Sequence, residues 1–211
     1  MASTTCPFCK RFSHFTIKWG RVYSDGHGVQ FAATCDQCAR LSTAEAWVEV
    51  PLIRGESLDL GTVSRSIASL DGDDIAWWPR IGVSPEVSDV PDSIARAAKE
   101  AYSSRSVGNH MAAVLMARTV VEATAKHKGI TDHTLAAKIN KMREKDLIRP
   151  DIAELAHEVR FAGNDMAHGD IDVPIDDTDS EEILELMAEV LSEVFQGPAR
   201  VARVRAKREG K

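Results

Sequence analysis

The sequence predicts an α+β chain in which a small β-rich N-terminal module is followed by an all-α bundle. Three observations carry that reading. All four cysteines fall in two C-x-x-C pairs near the start, the stretch between the pairs alternates apolar and polar residues, and from Pro91 onward apolar residues recur at helical spacing. The 211 residues are 44% hydrophobic and 27% charged, a globular composition that excludes a disordered or collagen-like chain. The longest strongly apolar stretch, Met111 to Ala117, falls far short of the roughly 20 residues a bilayer-spanning helix needs, so no membrane is expected. No basic-then-apolar leader precedes Cys6, which leads to the expectation of a reducing cytoplasm.

The cysteine pairs are Cys6-Pro7-Phe8-Cys9 and Cys35-Asp36-Gln37-Cys38. Each places two thiolates on one tight turn, and two such turns can close a tetrahedral S4 site around a structural Zn2+ ion. Disulfides would need an oxidising compartment, and a redox C-x-x-C normally stands alone at a helix start. Between the pairs, Phe12 to Tyr23 alternates, Ser24 to Gly28 turns the chain, and Val29 to Thr34 returns. Ala46 to Val50 reads as a third strand, and the whole resembles a zinc ribbon. Four thiolates leave no open coordination position, so the ion is expected to hold the fold and do no chemistry. Lys10, Arg11, His14, Lys18, Trp19 and Arg21 read as a basic, aromatic face for nucleic acid, and equally the ribbon reads as a protein-docking module in which Phe12, Phe15 and Trp19 simply pack under the metal.

Pro51 to Asp92 reads as connecting structure, with room for one more short strand. Trp77 and Trp78 are expected to anchor the ribbon against the helical body. The boundaries fall at 1–80 for ribbon and connector, 81–197 for the bundle, and 198–211 for a basic tail. Five helices are expected in the bundle. They run from Pro91 to about Tyr102, from Asn109 to Lys128 with Gly129 as a stop, from Asp132-His133-Thr134 to Lys145, from Pro150 to Gly169, and from about Asp179 to Gly197-Pro198. The tail carries six basic residues against Glu209 alone, so the formal charge of −6 leaves −11 on the rest of the chain. An acidic body argues against coating of nucleic acid over the whole surface. The tail reads either as a solvated terminus or as a local basic arm, the former being favoured.

Two helices carry polar residues that a purely structural bundle would not require. Arg118 and Glu122 lie one turn apart in an apolar run, and read as a register-fixing pair in preference to an active-site floor. Arg160, Asn164 and His168 follow at i, i+4 and i+8, a slanting stripe with Gly163 set inside it. The stripe reads equally as an anion site and as helix-end chemistry, with His168 and Gly169 suiting a helix C-terminus.

The segments Trp78-Pro79, Ala117-Arg118 with Glu122, Leu135 through Ile139, and Val159 through Asn164 with Ala167-His168 resemble those of the bacterial and phage family known as domain of unknown function 4145. That family is grouped with the HEPN superfamily, and a two-knuckle zinc module ahead of it is a common arrangement. The resemblance implies a HEPN-like bundle, a homodimer, and a possible metal-independent ribonuclease chemistry. In that chemistry an Arg holds the scissile phosphate, a His assists proton transfer, and the RNA 2′-hydroxyl attacks to leave a cyclic phosphate. Asn164 and His168 match the polar residue and the histidine, but Gly163 occupies the place of the Arg, and the nearest candidate is Arg160 three residues earlier. Three functions are therefore expected in this order: a module binding RNA or other nucleic acid, a nucleotide or a partner protein in a defence or mobile-element setting; a ribonuclease using Arg160 and His168; and a non-catalytic structural adaptor.

Overall fold

The computed structural model describes residues 2–23, 27–48, 60–68, 70, 72–168, 172 and 174–210, with the backbone alone at 60, 62, 73 and 165–168. They form two compact units, 1–81 and 82–211, the first built on a sheet and the second on helices, so the class is α+β.

In the first unit five antiparallel strands lie side by side in chain order: β1 (Ser3–Thr5), β2 (Phe12–Tyr23), β3 (Gly28–Cys35), β4 (Leu41–Trp47) and β5 (Ile75–Trp78). The period of two puts Phe15, Val29, Phe31, Ala33, Ala44, Ala46 and Ile75 on one face, where all are buried. Helix α1 (Leu60–Ala68) adds Val63 and Ile67 to the same core. A bulge between Ile17 and Trp19 shifts the register by one residue and turns Trp19 to the opposite face, across from Ala32.

Alternation also separates Trp77 from Trp78. Trp77 packs inward against Phe15 and Phe31, with ring centroids 4.7 and 5.5 Å apart, while Trp78 pairs with Thr43 on the outer face. The two tryptophans thus serve opposite faces of one strand. The strand expected from Ala46 begins earlier, at Leu41. Its expected end at Glu49 and Val50, like the turn residues Ser24, Asp25 and Gly26, lies outside the described residues.

The second unit contains α2 (Asp92–Ser106), α3 (His110–His127), α4 (Leu135–Glu144), α5 (Pro150–His168), α6 (Asp177–Leu191) and α7 (Gly197–Glu209). Helix α3 is central, packing against α2, α4, α5 and α6. Its buried residues are mostly small (Ala113, Val114, Ala117, Val120, Val121 and Ala125), which lets its neighbours approach closely. Local chemistry sets the ends. Gly129 takes φ +74° after α3, the Thr134 hydroxyl accepts from Ala137 N at the start of α4, and Asp176 and Asp179 cap α6 reciprocally. That capping box starts α6 two residues before the Asp179 that the acidic pattern suggests.

Gly197-Pro198 does not end the last helix. A five-residue π turn, Ser192–Gln196, leads directly into α7, and Pro198 falls in the first turn, where a missing N–H breaks no intrahelical bond. The basic tail is therefore a helix, with no buried residue and with Val201 and Val204 exposed. Among the described residues no helix is long and apolar enough to cross a membrane.

Candidate functional site

The two cysteine pairs build near-identical turns. Cys6 N donates to Arg11 O and Lys10 N to Cys6 O, and the second turn repeats this with Cys35 N to Arg40 O and Ala39 N to Cys35 O. The residue after each second cysteine, Lys10 or Ala39, sits in the left-handed region with φ near +60°. The β2–β3–β4 pairing brings both turns to one end of the sheet. The four sulfurs lie within 4.8 Å of one another, Cys6 and Cys35 being buried and Cys9 and Cys38 half-buried.

This donor set fits a metal ion. The cysteines are free thiols, and Cys6 Sγ lies 3.7 Å from Cys38 Sγ. Four sulfurs arranged tetrahedrally at about 2.3 Å from a zinc ion would be about 3.8 Å apart. Burial opposes a thiolate at Cys35, but the Ser13 hydroxyl and the backbone N–H groups of Cys38 and Gln37 outweigh it and lower its pKa to about 6. At Cys38 the Arg40 N–H favours the thiolate, yet burial and the neighbouring sulfurs of Cys6, Cys35 and Cys9 prevail and raise the pKa to about 11. One negative charge thus forms readily and opposes the next, an opposition that a divalent cation at the centre removes.

In the helical unit Arg118 and Glu122 do lie on one face of α3, but their contact is long, Nη1 to Oε2 at 3.9 Å. Glu122 Oε1 instead receives Lys126 Nζ at 2.7 Å and the buried Lys138 Nζ at 3.2 Å. The Lys126 hydrogen bond, with that of Lys138, holds the Glu122 carboxyl below its ordinary 4.5 despite burial. Lys138 escaped the sequence reading, although a lysine set among Leu135, Ile139 and Met142 was the available signal.

The stem of Arg118 occupies the space at Gly163. A Cβ there would stand 2.8 Å from Arg118 Cδ and 2.9 Å from Arg118 Cβ. Glycine at this position is the condition for α3 and α5 to cross with an arginine between them. Arg118 Nε is buried there without a hydrogen-bond partner.

Arg160 turns toward the start of its own helix. Its guanidinium lies over the Phe161 ring, 3.7 Å from the centroid, and its Nε reaches His157 Nδ1 at 3.4 Å. His157 Nε2 in turn lies 3.1 Å from Asn140 Oδ1 on α4. Burial, and then the Arg160 charge, push the His157 pKa below its ordinary 6.5. The structure therefore groups Arg160 with His157, Phe161 and Asn140, three residues the sequence reading did not single out. Asn164 lies one turn further on and is half-buried. His168 is the last residue of α5, and its side chain lies outside the described residues, as does Gly169.

No curated protein and no solved structure matches the chain. A family model described as Domain of unknown function (DUF4145) matches residues 99–207, from within α2 into α7, so the basic helix lies mostly inside the match. That match spans just over half of the sequence, and the chain belongs to this family.

Proposed function

We propose that the chain is a nucleic-acid-binding module with no chemistry of its own, in which the ion held by Cys6, Cys9, Cys35 and Cys38 is a structural zinc. The observation that carries this reading is the Arg160 cluster on α5. A guanidinium stacked on a ring that is itself 54% exposed, and steadied from below by His157, keeps its terminal N–H groups available to a phosphate or a base edge. Stacking restricts the arginine before any ligand arrives, which lowers the entropy lost on binding. In the same reading the helical unit is a HEPN-like bundle that pairs with a second copy, in a bacterial or phage defence setting.

The ribonuclease alternative needs Arg160 and His168 to share one phosphate across Asn164. The contacts of Arg160 run the other way, toward His157, and the space at Gly163 holds an arginine stem. The structural-adaptor alternative leaves the half-buried Arg160 and its exposed partner Phe161 without a role.

Fluorescence anisotropy of a labelled single-stranded RNA tests the proposal. Arg160→Ala is expected to weaken binding by about tenfold and to reduce the slope of log affinity against log salt by about one. Unchanged affinity and slope would refute it.

A further inference from the structure

The outer face of the sheet carries a second recognition element in the other unit. In one row across strands β2 to β5 stand Trp19, Ala32, Thr43 and Trp78 in register. Two indoles, one on β2 and one on β5, thus wall a trough about three strand spacings wide, roughly 14 Å between backbones, with Ala32 and Thr43 in the row between them. The trough encloses about 400 Å³, and Gln30 and Glu45 close one end of it. Trp19 remains 53% exposed, which leaves much of it open to a ligand.

The polar groups around the trough indicate its occupant. Glu45 accepts from Gln30 Nε2 at 3.3 Å and from the Tyr23 hydroxyl at 3.4 Å, and Gln30 Oε1 accepts two bonds from Arg21. That row is satisfied internally, which leaves the carboxylate little call on a cationic ligand. Tyr23 lies flat across Gly28, where an added Cβ would meet the ring at 2.5 to 2.8 Å, so the row is fixed from the side as well. Lys18 adjoins Trp19 at the bulge and Arg80 follows Trp78 by two residues. Both are exposed, and neither pairs with a carboxylate among the described residues. Flat apolar walls with an exposed cation close by in sequence to each suit a ligand that is planar at its centre and anionic along its edge.

We infer that the trough between Trp19 and Trp78 is a stacking site for an unpaired base of single-stranded RNA, with Lys18 and Arg80 facing the adjoining phosphates. The inference rests on the nucleic-acid reading above and gives that reading a second, independent contact point. No bond is made or broken at the site.

The test uses the full chain, loaded with zinc, and a fluorescein-labelled single-stranded oligouridine. Trp19→Ala and Trp78→Ala are each expected to weaken binding about fivefold or more, at an unchanged salt slope, because stacking is uncharged. Lys18→Ala is expected to lower the slope by about one. Trp19→Phe and Trp78→Phe should restore much of the affinity, since a smaller ring still stacks, and zinc content and circular dichroism check the fold of every variant. Tryptophan emission should be quenched as the unlabelled strand is added, and the quenching should vanish in the double alanine variant.

Folded alanine variants within about twofold of the parent, less than the weakest stacking loss, would overturn the site. If Arg160→Ala still weakens binding in that case, the helical contact survives and the trough alone falls. If the Trp variants lose affinity while Arg160→Ala does not, the trough stands and the helical contact falls. A parent chain that binds no oligouridine, or a trough that takes up only peptides, contradicts the inference.

Discussion

The two units hold themselves together by different means. The sheet unit closes one end with four sulfurs on two short turns, and its apolar core is a single layer of small and aromatic residues under α1. The helical unit buries a continuous apolar core and places its charged residues at helix crossings, as with Lys138 on Glu122 and Arg118 over Gly163. The contrast shows where a site is written. In the sheet unit it lies in spacing along the chain, whereas in the helical unit it lies in which helix crosses which.

The largest expected effect separates the two directly. Chelation, or Cys6→Ser, should abolish the sheet's cooperative unfolding while the helical circular-dichroism signal persists, because a structural ion of this kind contributes on the order of 10 kcal/mol to folding. Simultaneous loss of both signals would mean that the units are not separate in stability.

Next comes the buried lysine. Glu122→Ala strands the Lys138 ammonium and is expected to cost about 3 kcal/mol, while Glu122→Leu combined with Lys138→Met should recover most of that loss in urea denaturation. Glu122 is held below its ordinary 4.5 in the folded chain. Its contribution is therefore complete above that pH and is lost as the pH falls through the lowered folded value, a decline that Glu122→Gln should not share.

A smaller change of sign tests the crossing of α3 and α5. Gly163→Ala should destabilise the parent through its clash with Arg118. In an Arg118→Gly background, which removes both the Cβ and the stem that stand within 3 Å of the new methyl, the same substitution should instead stabilise by about 1 kcal/mol, the ordinary helix gain of alanine over glycine. Equal effects in the two backgrounds would show that Arg118 does not fill that space.

The smallest effect is a titration. His157 should stay neutral at pH 7 and titrate below 6.5 by NMR, and Arg160→Ala should move its pKa upward by removing a neighbouring positive charge. Because the folded pKa lies below the ordinary value, the stability linked to His157 is full above pH 6.5 and declines as the pH drops through that range.

Much of the fold could be read from the chain. The C-x-x-C spacing, the alternation in β2 and β3 and the apolar period of α3 are local signals, and each produced its element. What was hidden depended on crossings and on chain direction. The Ser-Thr-Thr of β1 has no apolar period, and Leu41 to Thr43 gives little sign of extending β4. Gly197-Pro198 resembles a stop until the π turn before it places the proline in a first turn. At the candidate site, the spacing of Arg160, Asn164 and His168 suggested one stripe. A flexible guanidinium chooses among neighbours on both sides, and the nearby Phe161 ring and His157 drew it the other way. Nothing in α5 itself reveals the arginine that crosses Gly163 from α3.

The central claim, that this chain binds RNA and does not cut it, is tested most directly by incubating the purified zinc-loaded protein with end-labelled single-stranded RNA under conditions where anisotropy shows binding. The account expects the strand to remain intact, with Arg160→Ala reducing only the bound fraction. Fragments ending in a cyclic phosphate that disappear in His168→Ala would contradict it.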